Sequence, residues 1–245
     1  IFKGLFWLVI QNSTVPVSRG DAENLYSRLT TYYLPARAGF ALAAVIVVVL
    51  AVLALRSRQA RAAHNLPVSS GSRAAVRWIA TAAAIGGFVA MFNQFRGVPL
   101  SLLVLAGTAV AVYFLTQHTP FGRYLYAIGG NEEAAVLSGI AVNRVLIGAY
   151  ALIGVTVALT GFMTTAYSGA ATTTVGDLME LDAIAACVIG GTALKGGRGS
   201  VGGVIFGALI MTALLNGMTL LAVAPESKFI ARGVVLTLAV WMDVV

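Results

Sequence analysis

The chain has 245 residues, 59% of them hydrophobic and 10% charged, with a formal net charge of +7 and a mean hydropathy of +0.89; an average soluble domain is roughly 25% charged. So much apolar surface exceeds what one water-bound core can bury, which excludes a soluble enzyme, and the same composition excludes a disordered tail, a disulfide scaffold and a collagen. What remains is a polytopic membrane protein, and the apolar runs taken below give it the expected form of an all-α, polytopic transmembrane helical bundle with one broken or short membrane segment.

The first apolar run, Ile1 to Ile10, is interrupted by Lys3 and lacks an initiator Met or a basic leader, so the sequence is expected to be a fragment entered mid-helix. Residues 11–38 follow as an extracytoplasmic amphipathic segment. Leu25, Leu29, Tyr32 and Tyr33 recur there at helical spacing after Asp21, with Pro35 as the stop. This spacing predicts a surface-lying helix with Tyr26, Tyr32 and Tyr33 at the lipid headgroups, or a surface for docking a partner.

The clearest span, Gly39 to Leu55, holds eleven Leu, Ile, Val or Phe in seventeen residues. At about −0.3 to −0.6 kcal/mol each these give roughly −3 to −7 kcal/mol for insertion. Further apolar runs cover 78–92, 100–116, 145–167, 182–194, 201–223 and 229–243, which with the opening run make eight candidate membrane segments. Arg56, Arg58, Arg61, Arg73 and Arg77 crowd the loop after the first full span and place it in the cytoplasm. Alternation then puts 93–98, 168–181 and 224–227 outside, and 117–144 and 195–200 inside. Arg123, Arg144, Lys195 and Arg198 join the inside set, against Arg19, Arg28, Arg37, Arg96 and Lys228 outside, so the C-terminus is expected in the cytoplasm. Lys3, Arg77 and Arg232 lie near span ends, where their heads can snorkel.

Within the inside loop 117–144, Asn131 is a good N-cap, Glu132 and Glu133 put negative charge at the positive end of a helix, and Gly139 suits the left-handed position after its last turn. A helix over 131–138 is predicted, presenting Ala134, Ala135 and Leu137. Small side chains on a short exposed helix suit insertion into a groove of another protein, and equally a place on the membrane surface.

Residues 182–194 make a helix of only about 20 Å, short of a hydrocarbon core of about 30 Å. Gly190, Gly191, Gly196, Gly197 and Gly199 supply a break, and irregular backbone at that depth requires burial in protein or a wet cavity. Such a break marks a pathway in transporters, although a re-entrant loop or a tight helix pair has the same pattern. Asp177, Glu180 and Asp182 cluster at its outer mouth, where Asp182 either caps a helix starting at Ala183 or serves gating or solute entry. Gly199, Gly203 and Gly207, continued by Ala213 and Gly217, form a small-residue stripe for close helix packing, and Asn216 is a pore candidate or an interhelical hydrogen-bonding group.

The chain offers little chemistry of its own. His64 and His118 are its only histidines and lie in polar loops, so no metal site or Ser/His/Asp set assembles around them. Gly197 to Gly202 fits G-x-G-x-x-G but lacks the preceding strand, and there is no G-x-x-x-x-G-K-[ST] run to hold ATP phosphates. Cys187 lies in an apolar run as a packing residue, and the basic residues punctuate apolar blocks rather than forming a nucleic-acid stripe. The spans carry no central carboxylate or His relay of the kind ion-driven carriers use.

The loop Gly122 to Ile140, the stretch Glu180 to Thr192, the glycine loop through Gly202 and the end Leu238 to Asp243 together resemble the membrane permease subunit of bacterial sugar ABC importers, ribose and xylose branch, with the xylose permeases nearest. The likeness is clear from Arg123 to Asp243, with Tyr33 to Pro35 and Arg96 to Pro99 as scattered agreement. It implies one permease domain over 1–245 in the bacterial inner membrane, lacking the family's N-terminal spans. It further implies a homodimer, a cytoplasmic ABC ATPase that holds ATP and Mg, and an extracytoplasmic binding protein delivering a monosaccharide. Gly130, Asn131, Glu132, Glu133, Ala134, Ala135, Leu137, Ser138 and Gly139 would couple to the ATPase. Glu180, Asp182, Gly190, Gly191, Gly196, Gly197 and Asn216 would line or gate the path. A secondary carrier or facilitator without ATP is the alternative.

Overall fold

The computed structural model describes residues 2–10, 14–17, 25–63 and 71–244. In chain order the elements are α1 (Phe2–Ile10), β1 (Val15–Pro16), α2 (Leu25–Thr31), β2 (Tyr33–Leu34), α3 (Ala36–Ala63), α4 (Gly71–Asn93), β3 (Val98–Pro99) and α5 (Leu100–His118). There follow α6 (Pro120–Gly130), α7 (Glu132–Leu137), α8 (Val142–Ser168), β4 (Ala170–Ala171), α9 (Met179–Ile189), α10 (Val201–Leu220) and α11 (Pro225–Val244). The all-helical expectation is borne out, and each of the eight apolar runs falls largely on a helix, those at 182–194 and 201–223 running past the ends of α9 and α10. Among the described residues, three of those helices, α5, α8 and α10, are by themselves long and apolar enough to cross a membrane. The strands are two-residue bridges, β1 with β4 and β2 with β3, both antiparallel.

The chain divides into two units, with the boundary inside α5 after Val104. In the unit built from α2, α3, α4 and the start of α5, Ala43, Val89 and Val98 are buried beneath Leu34, Ile85, Phe92, Leu102 and Leu103. Tyr32 and Tyr33 do not extend the predicted surface helix. That helix ends at Thr31, and Tyr33 and Leu34 pair in register with Pro99 and Val98. Asp21, Arg19 and His64 lie outside the described residues.

The other unit holds α1 and everything from Leu105 onward. Its core is the packing of α9 on α10 and α11, where Ala185 (0% exposed), Ala186 and Met211 are buried and Ile189, Val235 and Leu236 close over them. Elsewhere the surface is oily: α5 has no buried residue, and Val110, Tyr150, Val155 and Phe206 stand exposed. Such apolar flanks are the expected surface where the surrounding solvent is lipid.

Candidate functional site

The helix predicted after Asn131 is present and defined at both ends. Asn131 Oδ1 accepts the amide of Ala134 at 2.9 Å. Beyond the last turn, Gly139 adopts φ +79°, its N–H donates to Val136 O at 2.9 Å, and that of Ile140 donates to Ala135 O at 3.1 Å. These two bonds are the Schellman pairing, which satisfies carbonyls that a six-residue helix otherwise leaves bare. One expectation is corrected: Ala135 is 4% exposed and faces inward. The projecting knob is Val136 and Leu137, 55% and 89% exposed, with Glu132, Glu133, Ala134, Ser138 and Gly130 also at the surface.

Before this helix lies α6, within the stretch 117–144 expected as a loop. Its signal was nevertheless present: Thr119 is the N-cap, its Oγ1 accepting the Gly122 amide, and Pro120 fills the first helical position, where a missing N–H costs nothing. Asn131 N–H donates to Ala127 O, so one residue both closes α6 and caps α7.

The broken segment is shorter than a membrane crossing, as expected: α9 has eleven residues, about 16 Å at 1.5 Å each. Its start differs from the prediction. Asp182 does not cap a helix at Ala183; α9 begins at Met179 after Leu178 in the left-handed region, and Asp182 is its fourth residue. There Asp182 Oδ1 lies 3.1 Å from Arg232 Nε of α11, and the pair is misaligned for a hydrogen bond, so charge alone holds it. Arg232 is therefore an interhelical partner rather than a snorkelling cation. Glu180 is exposed and borders an open cleft of about 1220 Å³ with Phe6, Thr173, Thr174, Asp177 and Phe229.

The small-residue stripe packs only in part. A Cβ on Gly203 would lie 2.1 Å from Gly190 O, and one on Gly207 would lie 2.0 Å from Ala186 O, so α10 rests on α9 backbone to backbone. Met211 continues this seam, whereas Gly217 faces open space. The reason is helical phase: at about 100° per residue, Ala213 stands about 120° and Gly217 about 80° from Gly207. Asn216 is about 180° away on the same count, and it is exposed on the face opposite the seam.

Two of the predicted gate residues, Gly196 and Gly197, lie beside one predicted coupling residue, Gly130. In the loop after α9, Gly191, Gly196 and Gly197 have φ of +80°, +87° and +76°. The last two lie against the end of α6, where a Cβ on Gly129 would come 2.4 Å from Gly197 N. Tyr126 OH donates to Gly199 O at 3.1 Å. Gly190 instead sits in the α9–α10 seam and Gly191 faces open space. Sequence reasoning missed Tyr126 and Gly129, because only the fold brings them to the loop.

Residues 22–240 match the family described as branched-chain amino acid transport system / permease component. The xylose transport system permease protein XylH of Escherichia coli (strain K12) is 40% identical over 243 residues, 99% of this chain and 61% of that protein. The protein of the same name from Haemophilus influenzae is 43% identical over 211 residues, 86% of this chain and 56% of its own length. The ribose import permease protein RbsC of Bacillus subtilis is 44% identical over 155 residues, 62% of this chain and 48% of its own. The chain thus spans about three-fifths of the length of the xylose permeases it matches first. No solved structure matches it.

Proposed function

The chain belongs to the family of permease components matched above, and we propose that within it this is the membrane-spanning subunit of an ATP-driven importer of a monosaccharide, xylose or a similar sugar. The observation that carries the reading is the 40% identity to a xylose transport permease along 99% of the chain, with a twice-capped helix bearing an exposed Leu137 in the matched region. The resemblance drawn from the sequence and the membrane-inserted helical class agree with it.

In this reading the chain moves solute and performs no covalent chemistry. ATP and Mg are held by a partner ATPase, whose groove receives Val136 and Leu137 of α7, with Glu132, Glu133 and Ser138 around its rim. A second permease copy completes the path, and an extracytoplasmic binding protein delivers the sugar. The broken segment from α9 to α10 forms the moving part. Gly190 lets α9 ride on α10, Gly191, Gly196 and Gly197 give the connecting loop backbone freedom, and the Asp182–Arg232 pair ties the outer end of α9 to α11. Glu180, at the cleft, meets the solute, and Asn216 offers a polar group on the free face of α10. Alternating access then amounts to a shift of this unit driven from below. In this reading the protein is a multi-pass inner-membrane protein with its C-terminus in the cytoplasm.

Reconstitution of the full-length permease with its ATPase and binding protein, followed by a panel of pentoses and hexoses, tests the reading. Accumulation against a gradient only when ATP and both partners are present is the expected result. Uptake by the permease alone identifies a facilitator or secondary carrier. Labelling of a Leu137→Cys variant by an impermeant reagent from the outside overturns the orientation.

A further inference from the structure

We infer that Tyr126 is the positioning residue through which movement of α7 reaches the glycine loop between α9 and α10, an inference that rests on the coupling role proposed for α7.

The geometry leaves little slack between knob and loop. Asn131 is the single residue between α6 and α7, and it is bonded to both: its N–H closes α6 on Ala127, and its side chain caps α7 on Ala134. Force applied at Leu137 is thus delivered to the last turns of α6. Those turns touch the loop at two points. Gly129 meets Gly196 and Gly197 backbone to backbone, a contact that bears compression but resists no sliding. Tyr126 OH donates to Gly199 O at 3.1 Å across 73 residues of sequence, and this directional bond fixes register.

The loop responds as a piece. Ala193 N–H donates to Arg198 O at 3.0 Å and closes it into a ring, while left-handed Gly191 before the ring and Gly196 and Gly197 within it allow it to tilt. Its far end is Ser200, whose Oγ accepts the Gly203 amide at 3.1 Å and caps α10. Displacing Gly199 therefore displaces the start of α10, and Gly203 there is seated on Gly190 at the end of α9. One phenol group stands between the inward-facing knob and both halves of the broken segment.

The test uses the full-length permease with ATPase and binding protein in liposomes, comparing wild type, Tyr126→Phe and, as control, Tyr124→Phe, which alters an exposed tyrosine on the same helix. Sugar uptake per ATP hydrolysed is expected to fall about three- to tenfold in Tyr126→Phe, the scale of one neutral hydrogen bond, with the Tyr124→Phe ratio unchanged. Hydrogen exchange of amides 193–199 is expected to change on ATP addition in wild type and not in Tyr126→Phe. If wild type itself shows no ATP-dependent uptake, the proposed function fails and takes this inference with it. If wild type transports, while Tyr126→Phe keeps both the uptake ratio and the exchange response, this inference alone is overturned.

Discussion

Substituting Gly207 by alanine tests the α9–α10 seam on which the proposed moving unit rests. The new Cβ would lie 2.0 Å from Ala186 O, whereas an ordinary C···O approach is about 3.3 Å, so α10 must withdraw from α9 by about 1.3 Å. A gap of about 0.5–1 Å already forfeits about a quarter to a half of the dispersion attraction of each contact it opens, and this one is larger; the contacts in question are those of Ala185, Ala186 and Met211. Overpacking of this kind costs about 1–3 kcal/mol, offset by about 0.4–1 kcal/mol from the smaller entropy of the unfolded alanine chain. Gly217→Ala on the same helix shares the entropic gain but has open space around its Cβ. The difference between the two variants, about 1–3 kcal/mol, isolates the steric cost. Unfolding by SDS titration in mixed micelles, followed by helical circular dichroism, measures it. Coincident transitions for the two variants would refute backbone-to-backbone packing at Gly207.

Asp182→Asn leaves Arg232 without its counter-charge. A fully buried pair would cost about 3–5 kcal/mol on losing one member, and exposures of 21% and 25% reduce that to about 1–3 kcal/mol. The double variant Asp182→Leu with Arg232→Met should recover most of the loss in the same titration; equal instability of single and double variants would show that the pair is not what binds α9 to α11. Leu137→Asp should leave circular dichroism unchanged, since the side chain is 89% exposed, and should weaken co-purification of the ATPase by at least about tenfold, the scale of a hot-spot residue. Retained ATPase binding would remove α7 from the interface. Gly139→Val forces a β-branched residue into φ +79° at about 1–2 kcal/mol; fraying of α7 should lower uptake per ATP without unfolding the spans, and an unchanged ratio would count against α7 as the coupling element.

Much of the helical layout was legible because its causes are local. Hydropathy located the eight apolar runs, and Asn131, the paired glutamates and Gly139 specified α7 because caps and left-handed turns depend on a few consecutive residues. The Thr119–Pro120 start of α6 is an equally local signal. Extended pairing at Tyr33 was not legible, since it depends on Pro99 sixty-six residues later.

The sequence by itself determined the solvent, the helical class, the short helix before the glycine loop and the capped helix after Asn131, all of which follow from composition or from neighbours in the chain. Tertiary structure alone decided that Asp182 pairs with Arg232, that Ala135 turns inward, that Gly203 and Gly207 rather than Gly217 meet α9, and that Tyr126 reaches Gly199. Each of these depends on the rotation of one helix about its axis relative to another. That phase is set when backbones close to contact distance, and no short stretch of residues carries it.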